Sequence, residues 1–272
     1  VVLGNPPWDK PKVEDVKWFA SRYPEIANAS TAAIRKKMIE KLSHGQLASS
    51  HLKGGALLAP NKAEIKLYEQ YIEALRSADC AATFGHLGEE FGGRFPLTGV
   101  GDTDLSAYFS ELVTKLVSNT GRAGLVVPTT IFTGKTCNRF VQFLFQDNLV
   151  QLFGFENREL WFPIASDQRF SLVTIGKSSQ VDYVPLSFNF NNLEDPRTHI
   201  LMTGDDLKLM NPNTKTCPII RSQRDMDIHR KIYSNVPVLC RNSTERNLDS
   251  WNISFSSMFH RTNDSSLFYT ER

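Results

Sequence analysis

Asn5, Pro6, Pro7 and Trp8 follow directly on the apolar run Val1-Val2-Leu3-Gly4. Two successive prolines cannot continue a strand ladder or sit inside a helix, so they fix an extended backbone whose carbonyls lack ladder partners. Asn5 adds a side-chain carbonyl, an acceptor on a short stalk. Trp8 adds a flat, polarisable face. Two acceptors beside an aromatic plate suit a planar ring that bears an NH2 group. The ring stacks on the indole, and its two N–H bonds are accepted by the Asn5 side-chain oxygen and the Pro6 carbonyl. The arrangement also has a chemical consequence. The exocyclic amine of adenine is a poor nucleophile, because its lone pair is delocalised into the ring. Acceptors in tetrahedral directions favour the rehybridised amine and the positive charge it gains during attack. That stabilisation arises mainly in the transition state, where it raises the rate.

Such a loop belongs at the carboxyl end of a strand in an α/β sheet, where open sheets bind ligands. The rest of the pattern predicts that sheet. Val13, Val16 and Phe19 recur at helical spacing, so a helix is expected over about residues 13–22. A second is expected through AAIRKKMIEKL, capped by Ser30 or Thr31, and a third from Asn61, with Ile65, Tyr68, Ile72 and Leu75 on one face. The polar, glycine-containing stretch between them, residues 43–55, reads as a loop. These helices form an insertion over about residues 10–100. Beyond it, a helix starts near Asp104 with Leu105, Phe109, Leu112 and Leu116 in one stripe. GLVVP then reads as a strand, 135–146 as a helix, and NLVQLFGFEN and RFSLVTIGK as two strands close in sequence. This order predicts an α/β sheet with an antiparallel edge hairpin. Past Lys177 the character changes: strand-like VDYVPLSF is followed by loop-rich stretches, with one short amphipathic helix in SQRDMDIHRKIYS. A domain boundary is therefore expected near residue 180, with 181–272 forming the start of a mixed α+β region.

Composition narrows the function classes. The chain has 272 residues, enough for one large domain or one domain and part of a second. Its net charge of +2 does not announce a nucleic-acid partner, so any such partner must be held by local basic patches. No apolar run approaches the roughly 18–20 residues of a spanning helix, and no membrane association is expected. The 4 cysteines form no CxxC pair and no His stands at zinc-ligand spacing, so reduced thiols in a cytoplasmic protein and no metal are expected.

NPPW resembles motif IV, the catalytic motif of amino-group DNA methyltransferases, whose usual form is Asp, Asn or Ser, then Pro-Pro, then an aromatic residue. DLSAYFSELVTKLVSNTGRAGLVVPTTIF resembles the segments that follow it in that family. FGFENRELWFPIASDQRFSLVTIGK resembles the hairpin region with its Phe-Pro loop. WNISFSSMFHRTNDSSLF resembles the entry to the specificity region of large single-chain adenine methyltransferases, such as Eco57I-type restriction–modification enzymes and the methylases of BREX and DISARM phage-defence systems. The resemblance implies a partial Rossmann-like class I methyltransferase sheet, residues 1–180 being the C-terminal half of the catalytic domain and 181–272 the start of a target-recognition domain. The implied reaction is direct transfer of methyl from S-adenosyl-L-methionine to adenine N6 in double-stranded DNA, within a system that can hold other subunits. The base must first be flipped out, because N6 is tied up in the duplex.

Carried over residue by residue, the resemblance makes Asn5-Pro6-Pro7-Trp8 the catalytic motif, with Trp8 stacked on the flipped adenine and Phe162 packed against another part of it. Phe109 falls where the family places an aromatic near the cofactor's adenine. Arg221, Arg224, Arg230, Lys231 and His260 lie where DNA contacts begin. Structural readings stay open beside these: core packing for Phe162 and Phe109, and an ordinary surface position for His260. Arg35, Lys36, Lys37 and Lys41 read as a solvated helix face or a phosphate-contacting patch. The family's glycine-rich cofactor turn is expected upstream of Val1. The GVGD stretch near residue 101 does not follow a predicted strand and is rejected for that role. The native polypeptide is thus expected to be longer, Val1–Leu3 to be an exposed sheet edge in this piece, and the piece by itself to bind cofactor weakly or not at all and not to turn over. Three other readings use the same features: a methyltransferase acting on RNA adenine, one acting on a protein glutamine, and a non-catalytic DNA-binding subunit.

Overall fold

A computed structural model of the chain describes residues 1–51 and 59–239, together with 251, 253, 256–260, 264, 267 and 268. Cys240 and much of the stretch 251–268 lie outside the described residues. The first strand is β1 (Val2–Gly4). The insertion follows as α1 (Asp15–Ala20), α2 (Pro24–Ala27), α3 (Ala32–Ser43) and α4 (Lys62–His86). Then come α5 (Leu105–Leu116), β2 (Ala123–Pro128), α6 (Thr130–Thr133), α7 (Asn138–Leu144), β3 (Leu149–Glu156) and β4 (Arg169–Ile175). The chain closes with β5 (Val181–Ser187), β6 (Ile200–Met202), α8 (Gly204–Met210) and α9 (Gln223–Asn235).

Local chemistry explains where the helices begin. The Thr31 hydroxyl accepts from Ile34 N at 3.2 Å and the Asn61 side chain from Ala63 N at 2.9 Å, so both expected caps start their helices. Asp104 does the same for α5, accepting from Ala107 N at 3.1 Å. The insertion builds a core of its own from Phe19, Ile26, Leu42, Leu47 and Tyr71. Buried Glu64 serves it by accepting from Leu47 N and Ala48 N at 2.8 and 2.9 Å, which fixes the turn after α3 onto α4.

The protein is a mixed α/β fold on a six-stranded mixed sheet of order β1-β2-β4-β3-β5-β6. β1 runs parallel to β2, with Leu3 opposite Gly124. β4 pairs antiparallel with both β2 and β3, and β5 runs parallel to β3. The antiparallel hairpin is therefore an interior element, since β5 and β6 extend the sheet beyond it. Side chains alternate as the pleat requires. Ala123, Leu125 and Val127, with Val173 and Ile175, Val181 and Tyr183, and Ile200 and Met202, bury one face under α5 to α9.

The boundary expected near residue 180 does not coincide with a break in this core. Val181, Tyr183, Leu207, Met210 and Met226 pack into the same cluster as β2 and β3. The sequence looked loop-rich there because β6 and α8 are short, at three and seven residues. α7 is likewise shorter than the expected 135–146. No strand among the described residues pairs with the outer side of β1.

The 188–199 connection is pinned to the sheet by His199. Its Nδ1 faces the Asp182 carboxylate at 2.7 Å and its Nε2 faces the Leu193 carbonyl at 2.9 Å. Both ring nitrogens face acceptor oxygens, an arrangement that favours the protonated ring. Burial lowers its pKa, but the bonds to Asp182 and Leu193 outweigh burial and hold it above the usual value. This stabilisation is fully present below the unfolded pKa, near 6.5, and is lost as pH rises through the raised folded pKa. The urea midpoint of the wild type is expected to fall between about pH 6 and about pH 9, and this fall is expected to shrink in His199→Gln. Equal falls in the two proteins would refute the assignment.

Candidate active site at the tip of the first strand

Asn5 to Trp8 leave the carboxyl end of β1, where the strand pairs with β2. Three contacts anchor the segment. The Trp8 indole N–H donates to Val126 O on β2 at 3.4 Å. The Asp9 carbonyl accepts from Leu105 N at the start of α5, at 2.9 Å. The Lys10 ammonium pairs with Asp102 and holds that carboxyl below the usual carboxylate range. Trp8 and Pro6 are half-buried, whereas Asn5 and Pro7 are exposed. Among the described residues, no hydrogen bond engages the Asn5 side-chain amide or the Pro6 carbonyl. Two acceptors without protein partners among the described residues thus precede the indole held by Val126, the Asn5 side chain on an exposed residue.

Phe162 lies on the loop between β3 and β4, and its ring centroid is 5.7 Å from that of Trp8 at an interplanar angle of 54°. A base held between two parallel rings needs about 7 Å, twice an aromatic contact distance. The two rings touch, so admitting a base between them requires one of them to move. The neighbouring Trp161 does a different job. It packs against Phe155, Phe170 and Phe190 at centroid distances of 5.7, 5.8 and 4.8 Å, so it anchors the loop. Phe162 meets the same cluster edge-on at Phe170, 5.1 Å away.

Phe109 stands one helical turn beyond Leu105 on α5 and is 44% exposed. It lines a cavity of about 200 Å³ with Phe84, Gly85, Phe95, Tyr108 and Leu112. The walls suit a flat apolar ring. The Tyr108 hydroxyl is buried there without a hydrogen-bond partner among the described residues. The charged amino-acid end of S-adenosylmethionine finds no counterpart in this lining, so these residues fit the adenine ring of that cofactor and not its charged end.

The cations singled out from sequence behave differently from one another. Arg221, Arg224 and Lys231 are exposed. Arg230 is committed: its guanidinium bonds Asp206 through two nitrogens at 2.7 and 2.9 Å and also reaches the Leu201 carbonyl at 2.9 Å. α9 packs beside β6, five strand spacings or roughly 24 Å from β1. These cations and the Asn5–Trp8 segment therefore lie at opposite edges of the sheet. His260 is exposed, and its backbone N–H donates to the Asp264 carboxylate at 2.6 Å. In the other basic group, Arg35 donates to the carbonyls of Ile26, Ala27 and Ala29, while Lys36, Lys37 and Lys41 are exposed.

Other chemistry finds little support. Cys137 is buried, and burial pushes its thiol up to about 12, the opposite of an activated nucleophile. Sequence reasoning passed over Asn157, which organises the Phe162 loop, and the cations Arg158 and Arg169 that flank it, each paired with Glu156 at 2.6 and 3.5 Å. An Asn at a strand end is a turn signal, but its partners here are backbone atoms, which no residue type marks.

No protein-family model and no curated protein matches the sequence. Solved structures similar to it at low identity include two from restriction systems. The type IIG restriction endonuclease BpuSI is 18% identical with a TM-score of 0.36, the match covering 60% of this chain and 21% of that one. A type I restriction-enzyme modification subunit from Vibrio vulnificus YJ016 is 13% identical with a TM-score of 0.26, covering 53% of this chain and 29% of that one. The chain thus matches between about a fifth and three-tenths of the length of these proteins. Among the described residues, no helix is long and apolar enough to cross a membrane.

Proposed function

We propose that this chain carries the base-holding part of a site that methylates adenine N6 in double-stranded DNA, in a restriction–modification or phage-defence system. One observation carries the reading: the exposed, unbonded Asn5 side chain stands at a strand tip beside an indole fixed by Val126. Asn5 Oδ1 and the Pro6 carbonyl accept the two N–H bonds of the flipped adenine's amine. As that nitrogen turns tetrahedral and gains positive charge, both acceptors bind it more strongly, which lowers the barrier. Trp8 holds the plane of the base, and Phe162 closes on it after the ring pair opens. Stacking of this kind offsets the few kcal/mol that base extrusion costs. When bound, S-adenosylmethionine would supply the electrophilic methyl group, with Phe109 and the apolar groove beside it receiving its adenine ring.

The test is the modification pattern of genomic DNA. A strain carrying Asn5→Ala in the native gene is expected to lose N6-methyladenine at one sequence motif. An unchanged pattern would remove the proposal.

DNA contact by α9 and the residues just before it makes a separate expectation. Arg221→Glu, Arg224→Glu and Lys231→Glu together are expected to lower the slope of log K against log salt by about one for each phosphate no longer neutralised. Arg230 is left in place because it holds Asp206. A slope that does not change takes α9 out of the interface.

A further inference from the structure

The loop at residues 157–168 brings Phe162 against Trp8, and a single buried side chain organises it. Asn157 is fully buried, and each of its polar groups bonds within the loop. Its backbone N–H donates to Gln168 O at 2.9 Å, closing the base of the loop, and its carbonyl accepts from Leu160 N at 2.9 Å. Its side-chain oxygen accepts from Phe162 N at 3.2 Å. Its amide nitrogen donates to the carbonyls of Phe162, Ile164 and Ala165 at 3.0, 3.2 and 3.3 Å. Two hydrogens serve three carbonyls, so one of them is shared.

The residues held in this way are otherwise surface. Residues 158–160 and 163–168 are exposed, and Leu160 takes a left-handed φ of 54°. An exposed loop of this length has little apolar packing to select one conformation. The aromatic anchor at Trp161 fixes its middle, but an anchor alone does not set the direction of the next side chain. The bonds to both the N–H and the C=O of Phe162 do. They orient the peptide on either side of that residue and so aim its ring.

We propose that Asn157 is a positioning residue for the base-holding site, setting the placement of Phe162 against Trp8. This rests on the reading of Trp8 and Phe162 as walls for a flipped base. The side chain is specific for the task. Aspartate keeps the acceptor for Phe162 N but turns an oxygen towards three carbonyl oxygens. Alanine strips Phe162 N and the Ile164 carbonyl of their partner among the described residues, and leaves the Phe162 and Ala165 carbonyls with one bond each, from Ile164 N and Gln168 N. Glutamine is one methylene too long for a packed site.

Fluorine NMR of the native protein labelled with 5-fluorotryptophan tests the proposal, with the Trp8 resonance assigned by Trp8→Phe. Asn157→Asp and Phe162→Ala are each expected to shift that resonance, and Asn157→Asp is expected to add nothing in the Phe162→Ala background. The Trp18 resonance, from the separate core of the insertion, stays in place as the control for folding. Should Asn157→Asp move that control, Asn157→Ser is judged by the same criteria. Adenosine titrated against the Trp8 resonance gives the second arm. Phe162→Ala is expected to weaken its binding roughly 5- to 150-fold, the range for loss of one base–aromatic stack. Asn157→Asp is expected to weaken it by a comparable factor when Phe162 is present, and by less than about twofold when it is not. A Trp8 resonance that ignores Asn157→Asp, or an equal loss of affinity in both backgrounds, overturns the proposal. A wild type that binds no adenosine, while its Trp8 resonance still responds to Asn157→Asp, supports the positioning role and overturns the base-holding reading.

Discussion

Asn5→Ala is expected to slow methyl transfer to DNA by roughly 10²- to 10³-fold, the range for removing one preorganised hydrogen-bonding group from the site of developing charge. The same substitution is expected to change folding stability by less than about 0.5 kcal/mol, because an exposed side chain away from any packing or network carries little of it. Asn5 is exposed, and no described residue bonds its amide. The two expectations together are the informative result, since a structural asparagine would lose activity and stability in step. The loss is expected in kcat more than in KM, because the acceptor strengthens its bond only as the amine becomes positive. Asn5→Asp retains an acceptor oxygen and is expected to fall between the wild type and alanine. Initial rates of radiolabelled methyl transfer by the native protein, with urea unfolding of the same variants, check both arms. A rate within about threefold of the wild type would leave Asn5 without a role in catalysis.

Asp206→Ala is expected to destabilise the fold by about 3 kcal/mol, more than any other substitution proposed for this chain. The Asp206 carboxylate is nearly buried and accepts from Arg230 through two nitrogens. It also accepts from the Thr203 backbone and hydroxyl at 2.8 and 2.9 Å, completing a capping box at the start of α8. Removing it strands the Arg230 guanidinium and the cap together. The expected cost sits at the low end for a broken buried pair, because Arg230 is about a third exposed and regains some water. Burial raises the Asp206 pKa, but the hydrogen bonds from Arg230 and Thr203 outweigh it and leave the group lowered. A depressed folded pKa adds stability that is present above the unfolded value, about 3.9, and is lost as pH falls through the folded one. The stability curves of wild type and Asp206→Ala are therefore expected to converge in acid. Urea unfolding at neutral and acid pH measures this, and parallel curves would contradict it. The same pair accounts for Arg230: neutralising it should unsettle the β6–α8–α9 corner, so a loss of DNA binding in that variant would not by itself report a DNA contact.

Helix starts and strand identities were legible because their causes are local. Thr31, Asn61 and Asp104 cap the helices expected of them through bonds that reach two or three residues along the chain. The partner of the strand after Lys177 was not legible. β5 joins the sheet by pairing with β3, across a register that no composition shift reveals. The same holds within the basic set: Arg230 and Lys231 are adjacent in sequence, yet one is clasped by Asp206 and the other faces solvent. Helix period alone places them on different faces, but only the packing of α9 against α8 and β6 says which face is inward.

The chemistry available at the tip of β1 is written in four consecutive residues. Two prolines, an amide and an indole in succession dictate an extended, acceptor-rich turn wherever they occur, because their constraints act within a few bonds. What that turn faces is set by contacts between distant parts of the chain. The Trp8 indole bonds Val126, 118 positions away, and its ring meets Phe162 on a loop shaped by Asn157. Contacts between groups so far apart along the chain depend on strand pairing, and pairing is chosen by the energy of the whole sheet rather than by any one residue.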